Sequence, residues 1–197
     1  IIFQLSIMGA LAASFITLFS ELKKENEKQA FRFTAIVMNY VLLVFIVLSV
    51  LAFIFAEPIT GLRTGKEFSA EQIAIAVKLT RLMLFAQLFF AISNFLTGIL
   101  QAYQRFIAPA LAPIFYNLGI VLGTFFLAKT FGIYAAGLGV LLGAFLHMLV
   151  QLPLVWKLGF RFQFNFDWRF TSVKKLFTLM PPRLLTVGVT EFQNIAM

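Results

Sequence analysis

An arginine and a glutamate lie within an apolar stretch late in the sequence, and these residue types could hold a charged substrate. Arg183 and Glu191 are eight residues apart, a little over two helical turns, so both would lie near one helical face. Gln193 and Asn194 extend the polar character. Because ionisable groups at membrane depth are costly, each is a functional hypothesis, and we expect all four to line a hydrated cavity. The alternative is that Arg183 reaches the cytoplasmic interface and Glu191 pairs with another helix.

The common catalytic and metal-binding patterns are absent from the sequence. It has no cysteine and one histidine, which excludes thiolate sites and most histidine-based sites. Residues 61–66 read GLRTGK, whose spacing differs from the GxxxxGK[ST] phosphate loop, and no HExxH motif occurs. We therefore expect a protein that is not an enzyme, with no cofactor and no metal.

The composition predicts a membrane protein. Of 197 residues, 61% are hydrophobic and 12% are charged, and the mean hydropathy is +0.94. Soluble proteins are about 45–50% apolar and about 25% charged. The net charge of +8 would suggest nucleic acid in a soluble protein, but here the basic residues lie in short connectors between apolar runs. That placement favours membrane lipids with anionic headgroups as partners, and no nucleic acid.

Six segments are long and apolar enough to cross the hydrocarbon core as helices, which takes about 20 residues. They cover residues 1–20, 33–56, 82–104, 106–128, 130–156 and 176–197, and only the last contains charged residues. Such continuous runs exclude the short alternating strands of a β-barrel, so we predict an all-α polytopic membrane protein. Because the first and last segments are apolar up to the ends of the sequence, we expect the natural chain to be longer.

The basic residues predict an orientation. Connectors 21–32 and 157–175, together with Arg105, hold ten Lys and Arg residues, whereas segment 57–81 and Lys129 hold five. Cytoplasmic connectors are enriched in Lys and Arg. We therefore place 21–32 and 157–175 in the cytoplasm and 57–81 outside, as an external loop and a helix extension.

Three further patterns in the sequence predict how the helices and connectors pack. Glycines four residues apart, Gly119 with Gly123 and Gly139 with Gly143, favour close helix packing over a transport hinge. The stretch FRFQFNFDWRF at 160–170 alternates aromatic and polar residues, which favours a membrane-surface connector over a specific lipid site; a short strand is the other structure that fits the alternation. Polar residues within the spans are predicted to form hydrogen bonds between helices rather than to bind substrate: Gln87, Ser93, Asn94, Asn117, His147 and Gln151.

Several stretches resemble, in order along nearly the whole sequence, the MurJ/MviN family of bacterial lipid II flippases, which belongs to the multidrug/oligosaccharidyl-lipid/polysaccharide exporter superfamily. The most specific are GILQAYQRFIAPALAPIFYNLG at 98–119 and HMLVQLP at 147–153, and LMPPRLLTVGVTEFQNI at 179–195 also matches. The resemblance implies a fourteen-helix, two-lobe transporter of the bacterial cytoplasmic membrane that works by alternating access. This sequence would supply helices two to seven, in the N-terminal lobe.

The resemblance also implies a substrate, the undecaprenyl-pyrophosphate-linked precursor lipid II. The alternative is another exporter of the superfamily, either a polysaccharide-lipid flippase or a drug/cation antiporter. Arg183 in MPPRLL matches a cavity-lining family position on helix seven, and Pro181 and Pro182 give a cause for the bend of that helix. Arginine suits pyrophosphate because it is planar, always charged and bidentate toward phosphate oxygens. Phe3 and Gln4 depart from the family pattern, which often has arginines there.

Overall fold

The computed structural model describes residues 2–63 and 68–178, with side chains for 11–62 and 68–178. Every regular element in this part of the chain is a helix, which confirms the predicted all-α fold class. Residues 171–178 are also helical. The other helices, in chain order, are α1 (Ile2–Glu25), α2 (Glu27–Ile54), α3 (Ala56–Arg63), α4 (Ala70–Ala102), α5 (Ile107–Phe131), α6 (Tyr134–Leu149) and α7 (Leu152–Lys157).

Four described segments are long and apolar enough to cross a membrane, as judged by length and composition. They are Glu27–Ile54, Ala70–Ala102, Ile107–Phe131 and Tyr134–Lys157. The predicted polytopic membrane class is therefore confirmed. Each helix satisfies its own backbone hydrogen bonds, which lipid cannot do for it.

The helices continue beyond the apolar runs because Lys and Glu are good helix formers in water. In the predicted connector 21–32, α1 runs to Glu25 and α2 starts at Glu27, so only Asn26 is not helical. The Asn26 side-chain oxygen accepts hydrogen bonds from the backbone N–H groups of Lys28 and Gln29, at 3.0 and 3.3 Å. This cap begins α2 immediately after α1 ends.

The apolar run 130–156 forms two helices instead of one. Pro153 has no backbone N–H, and its ring clashes with the carbonyl four residues earlier in a continuous helix. That carbonyl belongs to Leu149, where α6 ends, and α7 begins at Leu152. Proline therefore explains the position of the break.

The chain divides into two compact units. The first comprises residues 1–40, 94–105 and 155–197. Its described core is aromatic: the Phe15 ring is stacked on Phe33 at 5.7 Å between centroids and meets Phe95 edge-on at 5.2 Å. These three rings and Phe19 are almost fully buried. Aromatic pairs in these geometries add to the stabilisation from burial alone.

The second unit comprises residues 41–93 and 106–154, and its helices α5 and α6 meet backbone to backbone. A Cβ atom added to Gly123 would lie 2.5 Å from the Cα of Gly139, and one added to Gly119 would overlap the Cα of Gly143. Only glycine permits this approach. The packing role predicted from the glycine spacing is confirmed for all four residues.

Candidate functional site

The side chains chosen from the sequence as cavity residues lie beyond residue 178 and therefore outside the described residues. They are Arg183, Glu191, Gln193 and Asn194, together with the predicted kink residues Pro181 and Pro182. The candidate site within the described part consists of the other polar side chains at membrane depth. In the structure these side chains form two groups, one joined by hydrogen bonds and one exposed.

The bonded group, in the second unit, consists of Ser93, His147 and Gln151. Ser93 Oγ lies 2.7 Å from His147 Nδ1 and accepts a hydrogen bond of 2.7 Å from Gln151 Nε2. Gln151 Nε2 also donates to the backbone carbonyl oxygen of His147 at 3.2 Å. Ser93 and Gln151 are fully buried. The network joins α4 to the end of α6, and its members bond one another as predicted.

The break before Pro153 explains why Gln151 takes this role. Its backbone N–H bonds to the Met148 carbonyl oxygen at 3.2 Å instead of continuing the α-helical pattern to His147. The His147 carbonyl therefore lacks its usual backbone partner, and the Gln151 side chain supplies the missing hydrogen bond.

Replacing Ser93 with alanine is expected to lower the free energy of unfolding by about 1–2 kcal/mol, because His147 and Gln151 would lose a buried partner. Thermal unfolding of the purified protein in detergent measures the change. Ser49→Ala is the matched control, since Ser49 is half-exposed on α2 and makes no hydrogen bond to a described residue. Equal melting temperatures for the two variants would show that the network is not stabilising.

The exposed group consists of Gln87 and Asn94 on α4 and Asn117 on α5. No hydrogen bond joins their side chains to another described residue, so the predicted interhelical bonds of these three are not found there. Thr80, Gln87 and Asn94 follow one another at seven-residue intervals, close to two turns, so they form a stripe along one face of α4. We call these three residues the α4 polar stripe. Because unsatisfied amides are costly in hydrocarbon, this face is suited to water or polar groups.

The connector 160–170, in the first unit, is held by two side chains of α2 and forms no strand. Asn39 Nδ2 donates to the carbonyl oxygens of Gln163 and Asn165 at 2.8 and 3.0 Å, and the Tyr40 hydroxyl donates to the Phe166 carbonyl at 2.7 Å. Neither α2 residue was among the candidates predicted from the sequence. The sequence shows only an asparagine inside an otherwise apolar run, which does not identify its partners.

A second polar cluster in the first unit surrounds the end of α4. Lys23 Nζ donates to the Ala102 carbonyl oxygen at 2.7 Å and lies 4.1 Å from the centroid of the Tyr103 ring. The Tyr103 hydroxyl donates to the Glu27 carboxylate. Burial, together with that carboxylate, raises the pKa of the Tyr103 hydroxyl above its ordinary value, so it remains a donor. A cation at the helix C-terminus also satisfies a carbonyl that has no partner in the helix.

Comparison with proteins of known sequence gives a consistent result. The family model described as "Lipid II flippase MurJ" matches residues 1–195. A lipid II flippase MurJ of Burkholderia cenocepacia is 26% identical over 200 residues, covering 98% of this chain and 39% of that protein. The MurJ of Thermosipho africanus is 33% identical over 138 residues, covering 70% and 28%. The chain thus spans less than two fifths of the length of these relatives.

A solved structure gives the same result for the fold. The chain is similar to a lipid II flippase MurJ in an inward closed conformation, with a TM-score of 0.75 and 25% sequence identity. The match covers 98% of this chain and 40% of that one. Since the family model matches nearly every residue, the chain belongs to the MurJ lipid II flippase family.

Proposed function

We propose that this chain takes part in the translocation of lipid II across the bacterial cytoplasmic membrane by alternating access. The observation that carries the proposal is the family match over residues 1–195. As a member of this family with several membrane-spanning helices, the chain is a multi-pass protein of that membrane. Translocation moves a lipid between leaflets without covalent change, so the proposed role needs binding groups and no catalytic ones.

The binding groups are polar side chains in otherwise apolar helices. The α4 polar stripe offers amide and hydroxyl groups on an exposed face, which suits a path for the sugar and peptide of lipid II. Arg183 is proposed as the pyrophosphate ligand because a guanidinium binds phosphate oxygens in a bidentate manner. Glu191, Gln193 and Asn194 are proposed as further cavity residues on the same helix.

The proposed topology keeps connectors 21–32 and 157–175 in the cytoplasm and segment 57–81 outside. Two ion pairs support the placement of connectors 21–32 and 157–175 on the same side of the membrane. Lys175 Nζ lies 2.9 Å from Glu21 Oε2, and Arg32 Nη2 lies 2.9 Å from Asp167 Oδ2. Each pair joins one connector to the other within the first unit, which supports the proposal that both connectors lie on one side of the membrane.

The proposed function is tested by rescue of a bacterium depleted of its own lipid II flippase. The full-length gene that contains this chain is expected to restore growth and to deliver lipid II to the outer face, where an externally added hydrolase can reach it. Failure to rescue, despite confirmed expression in the membrane, would contradict the proposal and favour another exporter of the superfamily.

The α4 polar stripe is tested in the same strain. Replacing both Gln87 and Asn94 with leucine is expected to lower the rate of lipid II delivery about tenfold, because the path loses two amides. The matched control is the exchange of Gln87→Asn with Asn94→Gln, which keeps both amides. If the leucine variant delivers lipid II at the rate of the control, the stripe does not line the path.

A further inference from the structure

An apolar groove of about 350 Å³ lies between α2 and α4 in the second unit. It starts at the end of α2 and continues for about two turns along α2 and about one turn along α4. Apolar side chains dominate its walls, and the principal ones are Ile46, Val50, Phe53, Leu84, Phe85 and Leu88. Both helices are among those that can cross the membrane, so the groove is accessible to hydrocarbon chains.

Arg81 lies where the groove begins. Its Nε donates to the Phe53 carbonyl oxygen at 3.2 Å, and its guanidinium carbon lies 4.8 Å from the centroid of the Phe53 ring. Phe53 is one residue before the end of α2, so this carbonyl has no partner within the helix. The bond fixes the Nε side of the guanidinium, which leaves its two terminal amino groups to bind a ligand. Arg81 forms no ion pair with a carboxylate of the described residues.

A second hollow, of about 360 Å³, adjoins the groove at Arg81. Arg81 lines this hollow and also bonds to Phe53, which lines the groove. Glu57 and Lys78 also line this hollow, and Lys78 Nζ lies 5.9 Å from the centroid of the Tyr134 ring. The charged side chains among the described residues that line the hollow are two cations and one carboxylate. The hollow therefore carries a net positive charge. It lies beside the apolar groove, at the predicted membrane boundary.

We propose that this place binds a phospholipid with a net negative headgroup, such as phosphatidylglycerol. One acyl chain occupies the groove, and the phosphate bonds to the terminal amino groups of Arg81 and to Lys78. The glycerol hydroxyls of the headgroup donate to Glu57. A zwitterionic lipid of equal chain length would leave the positive charge uncompensated, so it binds more weakly. The inference does not depend on lipid II translocation.

Lipid titrations of the purified full-length protein, followed by native mass spectrometry, test the proposal. The wild type is expected to bind phosphatidylglycerol about tenfold more tightly than phosphatidylcholine with the same chains, since a hydrogen-bonded charge pair contributes about that factor. Arg81→Gln is expected to remove this preference, and Arg81→Lys to keep it with weaker binding. Lys129→Gln, which removes a cation at the end of α5 that lines neither the groove nor the hollow, is the control and should bind like the wild type.

Val50→Trp, which fills the groove, is expected to weaken the binding of both phospholipids while size-exclusion profiles stay unchanged. The proposal is overturned if Arg81→Gln keeps the wild-type preference or if Val50→Trp binds lipid normally. If a polyprenyl phosphate displaces phosphatidylglycerol at equal concentration, the groove binds the polyprenyl tail of the proposed substrate instead, and the proposal is overturned. The proposal is also overturned if the wild type binds no phospholipid but self-associates when lipid-free, and Val50→Trp abolishes that self-association. In that case a second copy of the chain occupies the groove.

Discussion

Gly143→Ala is expected to destabilise the protein by about 3 kcal/mol, the upper part of the range for overpacking a close contact. The added Cβ would overlap the Tyr116 carbonyl oxygen and lie 2.9 Å from Cδ2 of the Tyr116 ring. A ring can rotate away, but a helical carbonyl cannot move without separating α5 from α6. The melting temperature of the purified protein in detergent measures this loss.

Gly61→Ala is the matched control, because it makes the same change in a helix where, apart from the neighbouring residues and backbone of its own helix, no described atom lies within 4 Å of the added Cβ. Alanine is favoured over glycine in helices by about 1 kcal/mol. The Gly61 variant should therefore melt at or above the wild-type temperature. A Gly143 variant as stable as the Gly61 variant would mean that the α5–α6 contact tolerates separation.

Arg183→Ala in the full-length protein is expected to lower lipid II delivery about a hundredfold, since a charged hydrogen-bonded partner of the pyrophosphate is lost. Arg183→Lys should recover part of the activity, because lysine keeps the charge but not the bidentate geometry. Delivery of lipid II to the outer face in the depleted strain is the measurement, normalised to protein in the membrane. Arg183 lies outside the described residues, so this expectation comes from the sequence and the resemblance.

The control for this experiment is Arg105→Ala. Arg105 is exposed just after α4, and its side chain makes no hydrogen bond to a described residue. Its loss should leave delivery unchanged. Full rescue by Arg183→Ala would exclude a substrate contact at position 183 and would favour a helix that only supports its neighbours.

The helices and the membrane class could be predicted because they depend on local composition. An uncharged run such as 106–128 forms a helix whatever surrounds it, since lipid leaves no other way to satisfy the backbone. The family could be predicted from ordered motifs such as HMLVQLP. The break inside 130–156 was missed, although Pro153 was visible, because proline within a membrane helix can also be tolerated.

The sorting of polar residues could not be predicted. Ser93 and Asn94 are neighbours in sequence, but successive helical residues point about 100° apart, so one is buried against α6 and the other is exposed. Which direction is buried depends on the neighbouring helices and not on the two residues. For the same reason Asn39 gave no clear signal, since its partners lie more than 120 residues later.

The attachment of connector 160–170 to α2 has an evolutionary consequence. Asn39 and Tyr40 bind carbonyl oxygens of the connector, which every amino acid supplies. Substitutions at 163, 165 and 166 therefore leave these hydrogen bonds in place, whereas the amide at 39 and the hydroxyl at 40 have no substitute in the backbone. The connector is therefore expected to accept substitutions at 163 and 165 more readily than α2 accepts them at 39 and 40, whereas Asp167 is constrained by its own ion pair with Arg32.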